Sequence, residues 1–208
     1  MTTDIDHLVF ATPDLHRGIE QIEELVGICP ALGGKHLGRG TWNALLALGD
    51  DVYLEIVAPD PEQPEPARPR AFGLDNAKEP RLATWAAKSS ALDSLRTRAE
   101  SKGISLGEVQ EGSRQRADGV MLSWRYTDPT KLVADGLIPF FIDWADSPHP
   151  AVTAPHGARL VELRAEHPDP ASIQKQMRVL AIELSVTKGP RPGLIATIEG
   201  RRGSVELR

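Results

Sequence analysis

The chain has 208 residues, of which 40% are hydrophobic and 25% charged, a composition typical of a globular protein with a substantial core. Its net charge of −5 argues against nucleic-acid binding, which usually requires a basic patch. The single cysteine, Cys29, excludes an internal disulfide and any multi-cysteine metal site. No apolar run approaches the ~20 residues that span a bilayer, so we expect no membrane partner and a cytoplasmic location.

Residues 1–60 predict a first module of strands and one helix. Its first and last strands are largely apolar, yet one carries His7 and the other Glu55. Burial disfavours a charged group, so such a residue must be paired, ligated or functional. The predicted elements are, in order, a strand at 5–10, a helix at 15–26, a glycine-rich stretch at 33–40 and a strand at 52–57.

A proline-rich segment separates this module from a second one. Five prolines lie between residues 59 and 69, and they predict a linker over 61–80 because proline resists both helix and central strand. Residues 81–146 then repeat the order of strand, helix, loop and strands. Such a repeat indicates a duplicated module even where few residues are identical.

Residues 147–208 contain a third, shorter repeat of this order. We interpret it as an additional βαββ segment that packs beside the paired modules within one compact domain. The alternative is that this segment is the true second module and the middle unit is an insertion. Strand candidates follow its helix at 182–186, 194–198 and 204–207.

The first module resembles the βαβββ module of the vicinal oxygen chelate superfamily, which includes glyoxalase I, extradiol dioxygenases and bleomycin-resistance proteins. Residues 33–46, GGKHLGRGTWNALL, look like the Gly-Gly-x-His-x-Gly-x-Gly-Thr-x-Asn core of its glyoxalase-like domain subgroup. Residues 139–144, the following His149-Pro150 and the closing residues 205–208 match later landmarks of that subgroup. The resemblance implies an α+β fold in which paired βαβββ modules form a cupped mixed sheet.

The resemblance also implies a divalent metal, held by residues on the first and last strands of each module. In the first module these positions fall on His7 and Glu55. In the second, the last-strand position falls on Asp143, while the first-strand position falls near Thr84 or Trp85, which are poor ligands. A histidine and a carboxylate with open water positions suit Mn²⁺, Fe²⁺, Zn²⁺ or Ni²⁺. We expect such a metal as the candidate cofactor and no organic cofactor.

The catalytic candidates are Glu55 and Asp143 for proton transfer and His36 for orienting the substrate. His36 lies among glycines, which let a ligand approach the backbone closely. The alternative is that these glycines only form turns. The predicted substrate-binding residues are Thr41, Asn43, Trp124, Arg125, Trp144 and His149.

Each of these substrate-binding candidates has a physical reason. Thr41 and Asn43 would share one face of a strand and offer a hydroxyl and an amide. Strand alternation places Trp124 and Arg125 on opposite faces, so one of them could line a cavity as a stacking wall or a carboxylate anchor. Trp144 and His149 follow a strand end, where site residues often gather. Packing or exposure is the alternative reading of the tryptophans and the arginine.

Two classes of function follow. The first is a metal-assisted isomerase or lyase that acts on a small oxygenated metabolite. A ring-cleaving dioxygenase fits less well, because it normally requires two histidines and one carboxylate. The second is a metal-free protein that binds and sequesters an aromatic or amphipathic small molecule, with Trp42, Trp85, Trp124 and Trp144 as the lining. The expected partner is a small molecule, and the protein is expected to be a monomer or a homodimer.

Overall fold

The computed structural model describes residues 4–115 and 119–208, which form an α+β fold with two sheets. The first module contains β1 (Ile5–Ala11), α1 (Leu15–Val26), β2 (Ala31–His36), β3 (Thr41–Ala47) and β4 (Tyr53–Pro59). The second contains β5 (Arg81–Lys88), α2 (Leu92–Glu100), β6 (Val109–Gln115), β7 (Met121–Thr127) and β8 (Phe140–Asp143). The remaining elements are β9 (Arg159–His167), α3 (Pro170–Val179), β10 (Ser185–Lys188), β11 (Gly193–Gly200) and β12 (Gly203–Leu207).

Both modules contribute to one eight-stranded sheet with the strand order β2-β3-β4-β1-β5-β8-β7-β6. The first strand of each module pairs in parallel with the last strand of the same module, and β1 pairs with β5 in antiparallel orientation. The sheet therefore joins two βαβββ modules side by side, which confirms the predicted fold class. The alternative assignment of the second module to the C-terminal segment is wrong, because β9 to β12 form a separate sheet.

The edges of the eight-stranded sheet, β2 and β6, face each other across the mouth of the cup. Side chains connect them. Arg39, in the turn after β2, donates from Nη1 to Oε1 of Gln110 on β6 at 2.8 Å. Arg114 on β6 donates to the carbonyl of Gly33 on β2. We call this side-chain contact between β2 and β6 the seam.

Helix α1 covers the outer face of the sheet because its apolar residues lie on one side. The Asp14 side chain caps its start by accepting from the amide of Arg17 at 3.2 Å. Gly27 ends the helix at a φ of 78°, which a residue without a Cβ adopts at little cost. The side chain of Ile22 is fully buried, and such burial stabilises the fold by about 1.5–3 kcal/mol.

The C-terminal sheet, in the order β10-β9-β11-β12, packs against the same outer core. It has three strands after its helix, which overlap the three predicted strand candidates and are one more than the βαββ order counts. Its first strand, β9, pairs with β10 and β11 rather than with the last strand, β12. The C-terminal segment therefore does not repeat the strand pairing found within the two modules. The amide of Leu82 on β5 donates to the carbonyl of Arg208 at 2.8 Å and ties the end of the chain to the second module.

The eight-stranded sheet separates two cores. Alternation along β1 sends Leu8 and Phe10 to the outer core, and it sends Val9 to the inside of the cup. Trp85 of β5 also points outward, where its Nε1 donates to the carbonyl of Leu137 at 3.0 Å. In the described part of the chain, no α-helix is both long enough and apolar enough to cross a membrane.

Candidate functional site

A cavity of about 650 Å³ lies inside the cup of the eight-stranded sheet. Its two sides differ in chemistry. The first module supplies a polar wall. The second supplies an aromatic and aliphatic wall on β7 and β8, flanked by polar and charged residues of β6 and of the segment after β7, such as Glu111, Arg114 and Asp128. The polar wall includes His7, His36, Thr41, Asn43 and Glu55, and the apolar wall includes Trp124, Tyr126, Phe140, Ile142 and Trp144.

A β-bulge in β1 shapes the base of the polar wall. The register between β1 and β5 shifts between Ile5 and His7, so Asp6 is the extra residue. In a regular strand Asp6 and His7 would point to opposite faces. Here their side chains meet, with Nδ1 of His7 and Oδ1 of Asp6 separated by 2.7 Å.

Asp6 is the centre of a buried hydrogen-bond cluster. Its carboxylate has no solvent exposure. Besides His7, it accepts from Nε1 of Trp144 at 3.1 Å and from Nε2 of His149 at 3.3 Å. Burial opposes ionisation, but the hydrogen bonds from His149 and His7 outweigh it and hold the pKa of the Asp6 carboxyl well below its usual range. Asp6 is therefore a carboxylate, and His7 is held with its Nδ1 proton pointing towards it.

This arrangement turns the other nitrogen of His7 towards Glu55. His7 Nε2 lies 3.8 Å from Oε2 of Glu55, and both side chains are almost fully buried. The His7 ring stacks on Tyr53 with centroids 4.5 Å apart, which fixes its plane. Oε1 of Glu55 accepts from Nδ2 of Asn43 at 2.6 Å. The carboxylate requires a donor, so this bond also sets the orientation of the Asn43 amide.

His36 completes the polar wall. Its Nδ1 lies 2.9 Å from Oγ1 of Thr41, and its Nε2 lies 3.3 Å from Nδ2 of Asn43. Because that amide nitrogen is a donor, Nε2 accepts and Nδ1 carries the proton. Desolvation lowers the pKa of His36, against the opposing attraction of Glu55. The neighbours of His36 thus set its tautomer, and its burial favours the neutral imidazole.

The apolar wall is an aromatic cluster. The rings of Trp124 and Trp144 lie 5.1 Å apart, and those of Phe72 and Phe140 lie 5.7 Å apart. Phe72 comes from the segment between the modules and adopts a φ of 62°, a conformation that is unusual for a bulky residue. The segment between the modules thus contributes a side chain to the cavity as well as connecting the modules.

The structure brings together most of the residues predicted from the sequence. Three of them, Arg125, Asp143 and His149, are not among the residues that line the cavity. Arg125 is outside the cavity and pairs with Asp93 of α2 at 2.9 Å. Asp143 is also outside the lining and accepts from the amide of Ala145 at 3.0 Å. The predicted residues in the lining are His7, His36, Thr41, Asn43, Glu55, Trp124 and Trp144.

Two further predictions need adjustment. His149 does not line the cavity but bonds to Asp6 behind His7. Of the four tryptophans proposed as a ligand-binding lining, Trp42 and Trp85 are not part of it. Asp6 was missed, although an acidic residue next to a histidine within an apolar strand is itself a signal in the sequence.

The donor set does not fit the four-ligand metal centre implied by the resemblance. His7 and Glu55 converge, as expected for the first module. In the second module, Thr84 donates to the carbonyl of Gly136 at 3.0 Å in the interior, and Phe140 and Ile142 line the cavity on β8. Within residues 4–115 and 119–208, no group of three or more His, Cys, Asp and Glu side chains could hold a metal ion.

Comparison with known proteins gives one match to a family model, described as a glyoxalase-like domain, over residues 5–180. The crystal structure of a hypothetical protein from Staphylococcus aureus is 12% identical, with a TM-score of 0.65 over 98% of this chain and 84% of that chain. Methylmalonyl-CoA epimerase from Mycobacterium tuberculosis is 23% identical, with a TM-score of 0.45 over 69% of this chain and 89% of that chain. No curated protein matches the chain. At 12% identity the likeness to the Staphylococcus aureus structure shows the fold alone.

Proposed function

The chain belongs to the glyoxalase-like domain family, and we propose that it catalyses proton transfer on a small oxygenated metabolite, as an isomerase or lyase. One observation carries this proposal. Asp6, His7 and Glu55 form a buried row at the wall of the cavity. Nε2 of His7 and Oε2 of Glu55 lie 3.8 Å apart in this row, and both can accept a proton. Titratable groups that are held this way in a cleft are typical of acid–base catalysis.

In this proposal Glu55 removes a proton from the carbon next to a substrate carbonyl. The electron pair of the C–H bond moves to the carbonyl oxygen and forms an enolate. His36 donates from Nδ1 to Thr41, and the Asn43 amide donates to both His36 and Glu55, so His36 and Asn43 orient the reaction by holding the Glu55 carboxylate beside the substrate head. Glu55 then returns this proton to the neighbouring atom directly, or transfers it to Nε2 of His7, which returns it; Asp6 stabilises the imidazolium while His7 holds the proton.

Hydrogen exchange in D₂O tests this proposal, because exchange reports proton removal whatever product is formed. We would incubate the protein with 2-oxo and 2-hydroxy carboxylates and follow loss of the C–H signal by proton NMR. Deuterium incorporation is expected for at least one compound, with a decrease of about 10²–10⁴-fold in Glu55→Gln, the usual contribution of a positioned base. Arg125→Ala, outside the cavity, is the matched control and should exchange at the wild-type rate.

The outcome of this assay separates catalysis from sequestration. Compounds that quench the fluorescence of Trp124 and Trp144 but exchange no proton would contradict the enzyme proposal. They would instead support the metal-free binding protein, since these two tryptophans line the cavity. Unchanged exchange in Glu55→Gln would contradict the assigned role of Glu55.

A metal-assisted form of the reaction is the second candidate. The observation that favours it is the carboxylate behind His7, because metal-ligating histidines usually donate their other N–H to such a group. His7 and Glu55 would be the ligands, and two protein ligands alone would bind weakly. Elemental mass spectrometry of untagged protein is the test. A near-stoichiometric transition metal that is lost in His7→Ala and Glu55→Ala would support this form, and no uptake after incubation with Mn²⁺, Fe²⁺, Zn²⁺ or Ni²⁺ would contradict it.

A further inference from the structure

We propose that the substrate carries an apolar body, a ring or an aliphatic chain of several carbons, which packs on the second module while its oxygenated head meets Glu55. The position of the head rests on the proposed function, and the apolar body rests on the shape and chemistry of the opposite wall. The substrate class is therefore an amphipathic oxo or hydroxy acid rather than a compound of only two or three carbons.

The volume of the cavity is the first argument. Sites of about 300–1,000 Å³ typically enclose ligands of drug size. A head group of a few atoms would leave most of a cavity of about 650 Å³ filled with water. Water against an aromatic wall is unfavourable, at roughly 25 cal/mol per Å² of apolar surface that stays wet. A ligand that covers this wall gains that free energy.

The construction of the wall is the second argument. Trp124 pairs across the strands with Gly112, and a Cβ on Gly112 would lie 2.5 Å from the Trp124 indole. The absence of a side chain at Gly112 therefore lets the indole lie against β6 while it lines the cavity. An aromatic ring held in this position and left open to a cavity offers a stacking surface.

The last strand of the second module is apolar at the positions where it could have carried polar ligands. Phe140 and Ile142 on β8 point into the cavity, in the last strand of this module. In the first module the last strand carries Glu55 instead. The same structural position is thus polar in one module and apolar in the other, so one wall suits the reacting group and the other suits a hydrocarbon body.

A homologous series of ligands tests this inference. We would measure dissociation constants by calorimetry for straight-chain 2-oxo carboxylates, from pyruvate to 2-oxooctanoate, together with phenylpyruvate. Burial of each methylene contributes about 0.8 kcal/mol, which corresponds to about fourfold tighter binding per added carbon. We expect this gain to continue along the series and to be smaller in Trp124→Ala. Trp42→Ala is the control, because Trp42 lies outside the cavity.

The outcomes are distinct from those of the exchange assay. Dissociation constants that do not depend on chain length, or no binding by any member of the series, would overturn the inference. An unchanged chain-length dependence in Trp124→Ala would overturn the role of the aromatic wall. Proton exchange without chain-length dependence would leave the proposed catalysis intact and remove only the apolar body. Chain-length-dependent binding without proton exchange would support the apolar body and contradict the proposed catalysis.

Discussion

Replacement of Asp6 by asparagine should lower the free energy of unfolding by about 3–5 kcal/mol. The carboxylate is fully buried and accepts hydrogen bonds from His7, Trp144 and His149. Asparagine has the same shape but only one acceptor oxygen, and its NH₂ group would face one of these N–H donors. That donor would lose its partner, at about 1–3 kcal/mol, and the remaining bonds would lose about 1 kcal/mol each without the charge.

The difference between the wild type and Asp6→Asn should shrink in acid. The hydrogen bonds from His149 and His7 overcome the cost of burial and hold the folded-state pKa of Asp6 well below its usual value. Such a group stabilises the fold fully only above its unfolded pKa of about 3.9. As the pH falls below about 4, the unfolded chain binds this proton before the folded protein does, and the stabilisation is lost progressively.

Urea denaturation followed by circular dichroism measures both effects. Unfolding curves at about pH 7 and about pH 3 give the difference between the two proteins at each pH. Asp143→Asn is the control, since that half-buried carboxylate accepts one backbone bond and should cost less than about 1 kcal/mol. A cost below about 1 kcal/mol in Asp6→Asn, or an equal cost at both pH values, would refute the reasoning.

Two further predictions concern the polar wall. In Gly33→Ala the new Cβ would lie 2.3 Å from Oδ1 of Asn43 and displace the Asn43 amide from Glu55. We expect the free energy of unfolding to fall by about 1–3 kcal/mol and proton exchange to be at least tenfold slower. Gly193→Ala is the control: its Cβ would have nothing within 4 Å, and the variant should be nearly neutral in both assays. In the metal-free protein, NMR titration should place the pKa of His36 below the usual value of about 6.5, because burial disfavours the imidazolium. A pKa above the usual value would contradict the assignment of a neutral His36 imidazole.

The fold and half of the site could be predicted from local patterns. Helix α1 spans the predicted residues 15–26, because its caps, Asp14 and Gly27, depend on a few neighbouring residues. The inward side chains of His7 and Glu55 follow from alternation along their strands. The alternation rule also predicted that only one of two neighbours on β7 would line the cavity, and the structure selects Trp124.

The remaining parts of the site depend on pairing between distant strands. The bulge that turns Asp6 towards His7 exists only in the register between β1 and β5, so alternation along β1 alone predicts the wrong face for Asp6. The position of Asp143 depends on the register of β8 in the same way, and there the preceding residue, Ile142, faces the cavity. Strand register is set by contacts that no single segment contains.

The seam between β2 and β6 has a consequence for how fast a ligand enters and leaves. Elsewhere around the cup, neighbouring strands are held by ladders of backbone hydrogen bonds, which open only through cooperative local unfolding. At the seam, contacts such as that of Arg39 with Gln110 are single side-chain bonds, and exposed side chains change rotamer within nanoseconds. Separation of β2 from β6 would therefore break side-chain bonds and leave the ladders of the sheet intact. Residence time in the cavity would then depend on the contacts of both Arg39 and Arg114, while the polar wall stays in place through each cycle.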